Sequence, residues 1–158
     1  MTIRSVLFVC TGNICRSPTA DGVMRHLVRE AGFEDRVRVD SAGTIDYHAG
    51  EPPDERAQAH ARRRGYDLSA LRARQVLHGD FETFDLILAM DRSHLRTLQE
   101  LAPAEHRHKL RLFMEYATMR KRDEVPDPYF GGATGFERVL DMIEDAARGL
   151  LEELTARM

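Results

Sequence analysis

The stretch Val9-Cys10-Thr11-Gly12-Asn13-Ile14-Cys15-Arg16-Ser17-Pro18 constrains this chain most, because it sets a candidate nucleophile, an anion-binding loop and a helix start within ten residues. Upstream, Ser5-Val6-Leu7-Phe8-Val9 is a short apolar run of the kind a buried parallel strand uses. Downstream, Ser17 reads as an N-cap with Pro18 at the first helical position, and Ala20, Val23, Met24, Leu27, Val28 and Ala31 recur at helical spacing. The unit is strand, loop, helix.

Such a loop lies where a helix points unpaired N–H groups and the positive end of its dipole, an environment that favours a dianion. Thr11, Gly12, Asn13, Ile14 and Cys15 line it, and Gly12 and Asn13 both tolerate left-handed backbone, so successive amides can converge on one anion. Arg16, with five residues between it and Cys10, can grip two phosphate oxygens at once. The same field favours the thiolate form of Cys10. A nucleophile beside a phosphate cradle implies a phosphocysteine intermediate.

The rest of the chain alternates strand and helix. Val37–Ser41 reads as a second strand, and Pro52-Pro53-Asp54 opens a polar helix that stops near Gly65. Tyr66–Val76 is ambiguous, with Asp80 capping a short helical turn before Phe84. Asp85–Met90 is a third strand, Ser93 begins a helix that ends before Pro103, and Leu110–Phe113 is a fourth strand. Met119–Gly132 reads as a surface loop. Thr134-Gly135-Phe136-Glu137 has the form of a capping box for a last helix, whose Phe136, Val139, Leu140, Ile143, Ala146, Ala147, Leu150, Leu151 and Leu154 make one apolar face. The expected fold is therefore α/β: a single-domain, three-layer α/β/α unit over residues 1–158, with a central four-stranded parallel sheet and the phosphate loop after its first strand.

Composition excludes several alternatives. The formal charge of −3 gives no basic footprint for nucleic acid. No run approaches the roughly 18 apolar residues of a membrane span, and the first dozen residues lack the marks of a secretory signal, so a cytoplasmic protein with no membrane partner is expected. The only two cysteines, Cys10 and Cys15, share one loop, which argues against a structural disulfide framework. His106 and His108 lack partners at ligand spacing, so no metal or other cofactor is expected. Arg62-Arg63-Arg64 reads as the solvated end of a helix, and His48 as structural or solvated.

A second element completes the chemistry. Pro128 restricts Asp127 to extended backbone, which aims its carboxyl, and an aspartic acid beside a dianion can protonate the departing oxygen of a phosphate ester and then activate water. Tyr129 beside it offers an aromatic wall. With both motifs in view, the chain resembles the low-molecular-weight protein tyrosine phosphatases, through Val9–Pro18 and Asp127-Pro128-Tyr129. Between them Asp40–Thr44, Tyr47-His48-x-Gly50, Ala73-Arg74-Gln75, Phe84-Asp85 and Met90-Asp91 stand in the same order as the family's landmarks. The resemblance spans essentially the whole chain.

The resemblance implies a role for each matching position. Cys10 would be the nucleophile, Arg16 the ligand of the phosphate and the transition state, and Asp127 the general acid and then base. Asn13 would brace the loop, Ser41 help to hold it, and Ser17 steady the thiolate, while Tyr47 and Tyr129 would wall a slot for a phosphotyrosine ring. Cys15 would form a reversible disulfide with Cys10 under peroxide. Tyr47 stands where many relatives carry tryptophan, Leu71 where some carry a histidine that supports the loop asparagine, and Phe130 where some carry a second tyrosine. The implied partners are phosphotyrosine-containing proteins, and a monomer is the default expectation for a chain of this kind. Two alternatives share the cradle. One is an arsenate reductase, although the thioredoxin-coupled kind relays a disulfide to cysteines beyond the loop and this chain has none after Cys15; the other is a silent phosphotyrosine-binding module.

Overall fold

The structure, a computed structural model, describes residues 3–119, 122–128 and 132–156. Four strands, β1 (Ser5–Cys10), β2 (Arg38–Gly43), β3 (Leu86–Ala89) and β4 (Leu110–Leu112), form one parallel sheet in the order β2-β1-β3-β4. The chain leaves β1 toward β2 on one side and returns to β3 on the other. The carboxyl ends of β1 and β3 therefore flank the switch point where parallel sheets bind ligands.

β1 is central and fully buried, and its alternation assigns the two faces. Val6, Phe8 and Cys10 pack on one side with α1 (Arg16–Glu30) and α5 (Gly132–Thr155), where Phe8 meets Phe113 edge-on with ring centroids 4.9 Å apart. Leu7 and Val9 pack on the other side with Phe81 and Phe84 and with Leu98 of α4 (Arg92–Leu101). α2 (Glu55–Arg63) lies against α5, joined by Arg64, which bridges Glu137, Asp141 and Glu144. α3 (Asp80–Thr83) is the short turn before β3. The expected three-layer arrangement of a four-stranded parallel sheet is the one observed.

Several element starts differ from expectation. β2 and β3 each begin one residue later, and α3 has Gly79 as its N-cap with Asp80 as its first residue, the Asp80 carboxylate accepting the Leu77 amide instead. α1 begins at Arg16 with Cys15 as its N-cap, so Ser17 and Pro18 are its second and third residues. Proline is tolerated there because first-turn amides have no intrahelical acceptor. α4 begins at Arg92 rather than Ser93 and is capped by Asp91, whose carboxylate accepts the His94 amide at 3.1 Å. α5 is already helical at Gly132, so Thr134 to Glu137 lie inside it and make no capping box.

Candidate active site

The loop from Thr11 to Cys15 runs from the carboxyl end of β1 into the amino end of α1. Its carbonyls are tied outward: Thr44 N donates to Cys10 O at 2.9 Å, Ile45 N to Thr11 O at 3.2 Å and Asp54 N to Ile14 O at 2.8 Å. No amide from Gly12 to Ser17 finds an acceptor among the described residues. Amides without acceptors at a helix amino end present positive potential to an anion.

Asn13 holds that shape. It is the one non-glycine with positive φ among the described residues, at 59°, and it is buried. Its Nδ2 donates to Ser17 Oγ at 2.8 Å and its Oδ1 accepts the Arg74 amide at 3.0 Å. The Arg74 segment is itself fixed, with its guanidinium on Asp80 and Asp40. Leu71 supplies no polar atom here; the Arg74 amide does that work. Gly12 needs no left-handed backbone but lies under the His48 ring, where a Cβ would come within 3.0 Å of Cδ2. Gly43 is required more strictly, since a Cβ there would approach Thr11 O to 2.5 Å.

Cys10 Sγ is buried at the base of the loop, 3.0 Å from Ser17 Oγ. Ser17 accepts from Asn13, which leaves its one hydroxyl proton for Cys10 Sγ or for Ala42 O at 3.3 Å. Cys15 is also a free, buried thiol, and burial, then Asp54 and Cys10, push it up to about 12. It stays a thiol where a thiolate is needed for attack.

Arg16 is buried, with Nη1 donating to Asp91 Oδ2 at 2.8 Å and to Val125 O at 3.0 Å. Its Nη2 lies 4.0 Å from Asp127 Oδ2. Burial opposes the charge on Asp91, but hydrogen bonds from Ser93 and Arg16 outweigh it and hold the carboxyl below the ordinary aspartate range. His94, which sequence patterning does not single out, completes the group. Its Nε2 is 2.7 Å from Thr11 Oγ1 and 3.5 Å from Arg16 Nη2, both donors, so the ring proton belongs on Nδ1. Nδ1 is 3.2 Å from Asp91 Oδ1 but off the hydrogen-bond line, and it has no other partner among the described residues. Burial and then the Arg16 guanidinium push His94 down to about 4.

Cys10, Thr11, Gly12, Ile14, Cys15, Arg16, Tyr47 and Asp127 line one cavity of about 430 Å³, together with Ile45 and His48, which sequence reasoning did not place there. Tyr47 is 81% exposed and stands edge-on to His48, in position for a rim wall. Ser41 does not reach the loop; its hydroxyl donates to Asp21 Oδ2 at 2.9 Å and so braces α1 instead. Tyr129 and Phe130 lie outside the described residues. Among those residues no three His, Cys, Asp or Glu side chains group so as to hold a metal ion, and no helix is long and apolar enough to cross a membrane.

A thiol beneath an amide-lined loop, an arginine fixed at its mouth and a carboxyl facing it define a cysteine-dependent phosphomonoester site on a parallel α/β sheet. The comparisons with known proteins agree. The family model described as low molecular weight phosphotyrosine protein phosphatase matches residues 5–158, and the chain belongs to that family. It is 48% identical over 154 residues to a low molecular weight protein-tyrosine-phosphatase of Streptomyces coelicolor, covering 96% of this chain and 93% of that protein. It is 42% identical over 152 residues to the human low molecular weight phosphotyrosine protein phosphatase, covering 95% of each. A crystal structure of a protein tyrosine phosphatase from Entamoeba histolytica, with Hepes in the active site, superposes with a TM-score of 0.93 at 38% identity over 98% of this chain and 99% of that one.

Proposed function

We propose that residues 1–158 form one phosphatase domain that hydrolyses phosphotyrosine monoesters in proteins through a cysteinyl-phosphate intermediate. The observation that carries this reading is the single cavity in which Cys10, Arg16 and Asp127 meet the amide-lined loop. The Cys10 thiolate attacks phosphorus, the P–O bond to the aryl oxygen breaks, and Asp127 gives that oxygen its proton. Arg16 and the loop amides take up the charge on the equatorial oxygens as the phosphoryl group transfers. The Asp127 carboxylate then takes a proton from a water that attacks phosphorus; the P–S bond breaks, the Cys10 thiolate leaves and inorganic phosphate is released.

Ser17, held by Asn13, supplies a hydrogen bond that stabilises the departing thiolate in the second step. Tyr47 and Tyr129 flank the ring of the substrate. Cys15, five positions from Cys10, protects the nucleophile under peroxide by closing a disulfide, two thiols giving up two electrons to the peroxide, which leaves as water. The enzyme works as a cytoplasmic monomer. The mechanism is tested by product partitioning: with an added alcohol, a shared phosphoenzyme gives the same ratio of alkyl phosphate to inorganic phosphate for every aryl leaving group. A ratio that changes with the leaving group rejects the intermediate.

A further inference from the structure

Asp127 acts at the tip of a loop, and the structure shows what holds that loop. Its segment 122–128 docks against the amino end of α4. Val125 is fully buried; its amide donates to Met90 O at 2.8 Å and its carbonyl accepts Arg16 Nη1 at 3.0 Å. One residue earlier, Glu124 Oε2 accepts the Arg92 amide at 2.7 Å. Arg92 is the first residue of α4, and its amide has no intrahelical acceptor, so Glu124 satisfies an orphan donor and places a negative charge at the positive end of the dipole. The Arg92 guanidinium reaches back to the same loop, 2.6 Å from Asp123 Oδ2 and 3.9 Å from Glu124 Oε2.

Docking at 123–125 reaches Asp127 because the chain between them is stiff. Val125-Pro126-Asp127-Pro128 has two prolines with fixed φ, and each restricts the residue before it to extended backbone. Few free torsions remain between the Val125 anchor and the Asp127 carboxyl.

We infer that Glu124 is a positioning residue for the general acid: by capping Arg92 at the amino end of α4 it fixes the 122–128 loop, and the Pro126–Pro128 frame carries that placement to Asp127. The inference rests on the phosphatase reading above. The two exposed side-chain pairs of Arg92 contribute little by themselves, since solvent screens them. The directional element is the carboxylate on a backbone amide.

Positioning of the acid has a signature that general loss of structure lacks. Protonation matters most when the leaving oxygen is basic, so a displaced Asp127 should slow phenyl phosphate much more than 4-nitrophenyl phosphate. The experiment compares kcat/KM for the two esters in the native chain, Glu124→Ala, Glu124→Gln, Asp127→Ala and the double variant. Glu124→Ala should lose about tenfold to a hundredfold on phenyl phosphate and no more than about threefold on 4-nitrophenyl phosphate. Glu124→Gln, which keeps an acceptor, should recover most of the loss, and the double variant should match Asp127→Ala alone. Arg92→Pro is an independent variant: proline suits a first helical position and Asp91 is already extended, so the donor is removed without breaking α4. It should show the same selective loss. Equal losses on both esters, or a Glu124→Ala penalty that persists in full without Asp127, would overturn the inference while leaving the phosphatase reading intact. A native chain that turns over neither ester overturns both.

Discussion

Asp91 Oδ2 accepts a hydrogen bond from Arg16 Nη1 at 2.8 Å, and the same carboxylate caps α4 through the His94 amide. One side chain thus fixes both the helix after β3 and the arginine of the phosphate loop, which come from strands on either side of the switch point. Asp91→Asn keeps the size of the cap but removes the charge opposite a buried guanidinium. Breaking one partner of such a pair leaves an uncompensated ion, and the expected loss is about 2–4 kcal/mol in urea unfolding at neutral pH. Phosphate should restore more stability to the variant than to the native protein, because it supplies the missing anion to Arg16. Asp91 titrates below the ordinary aspartate range, so its contribution is complete at neutral pH and is lost only as pH falls through that lower value.

Asn13 combines a left-handed backbone with two buried hydrogen bonds. Asn13→Ala should therefore lose about 2–4 kcal/mol, the sum of backbone strain and an unsatisfied Arg74 amide. Asn13→Gly relieves the strain but not the lost bonds, so it should be the more stable of the two and still bind inorganic phosphate poorly. Equilibrium denaturation, with phosphate inhibition constants beside it, separates the two effects.

The neutral, buried His94 makes stability depend on pH. In the unfolded chain a histidine takes up a proton near its ordinary value of about 6.5, whereas in the folded protein His94 does so only near 4. The unfolded state binds more protons between these values. Stability should fall as pH drops from about 6.5 to about 4, by up to about 3 kcal/mol, and this contribution should be flat below. His94→Asn should remove that slope, as read from unfolding free energies at a series of pH values.

These sites were not equally legible in the sequence. The strand, loop and helix around Cys10 could be read because their signals are local: an apolar run, a turn-tolerant pair and helical spacing all lie within one stretch. The same locality misled at helix starts. Ser17 is a good N-cap by type and Ser93 a plausible first residue, but α1 starts two residues before Pro18 and α4 one residue before Ser93, where Asp91 supplies the cap. The resemblance marked Asn13 and Ser17 as supports of the site, but the distant partners could not be read. Asn13 meets the Arg74 amide 61 residues away and Thr11 meets His94 across 83, and no spacing rule encodes such contacts. Ser41 shows the reverse: the resemblance implied loop support, and the fold turns its hydroxyl to Asp21.

Asp127 lines the cavity with Oδ2 4.0 Å from Arg16 Nη2. Asp127→Ala should slow hydrolysis of phenyl phosphate by about 10² to 10⁴, with a smaller loss on 4-nitrophenyl phosphate, whose leaving group needs less help from an acid. A leaving-group series in kcat/KM checks this; an unchanged slope would remove Asp127 from the acid role.

The most direct measurement is hydrolysis of 4-nitrophenyl phosphate by the freshly reduced protein at mildly acidic pH with a chelator present, native chain against Cys10→Ser. The Cys10 mechanism predicts steady turnover in the native protein and a loss to background in the variant, which keeps its fold and still binds phosphate. Turnover that survives Cys10→Ser, or a native protein that binds phosphate and releases no nitrophenol, would contradict it.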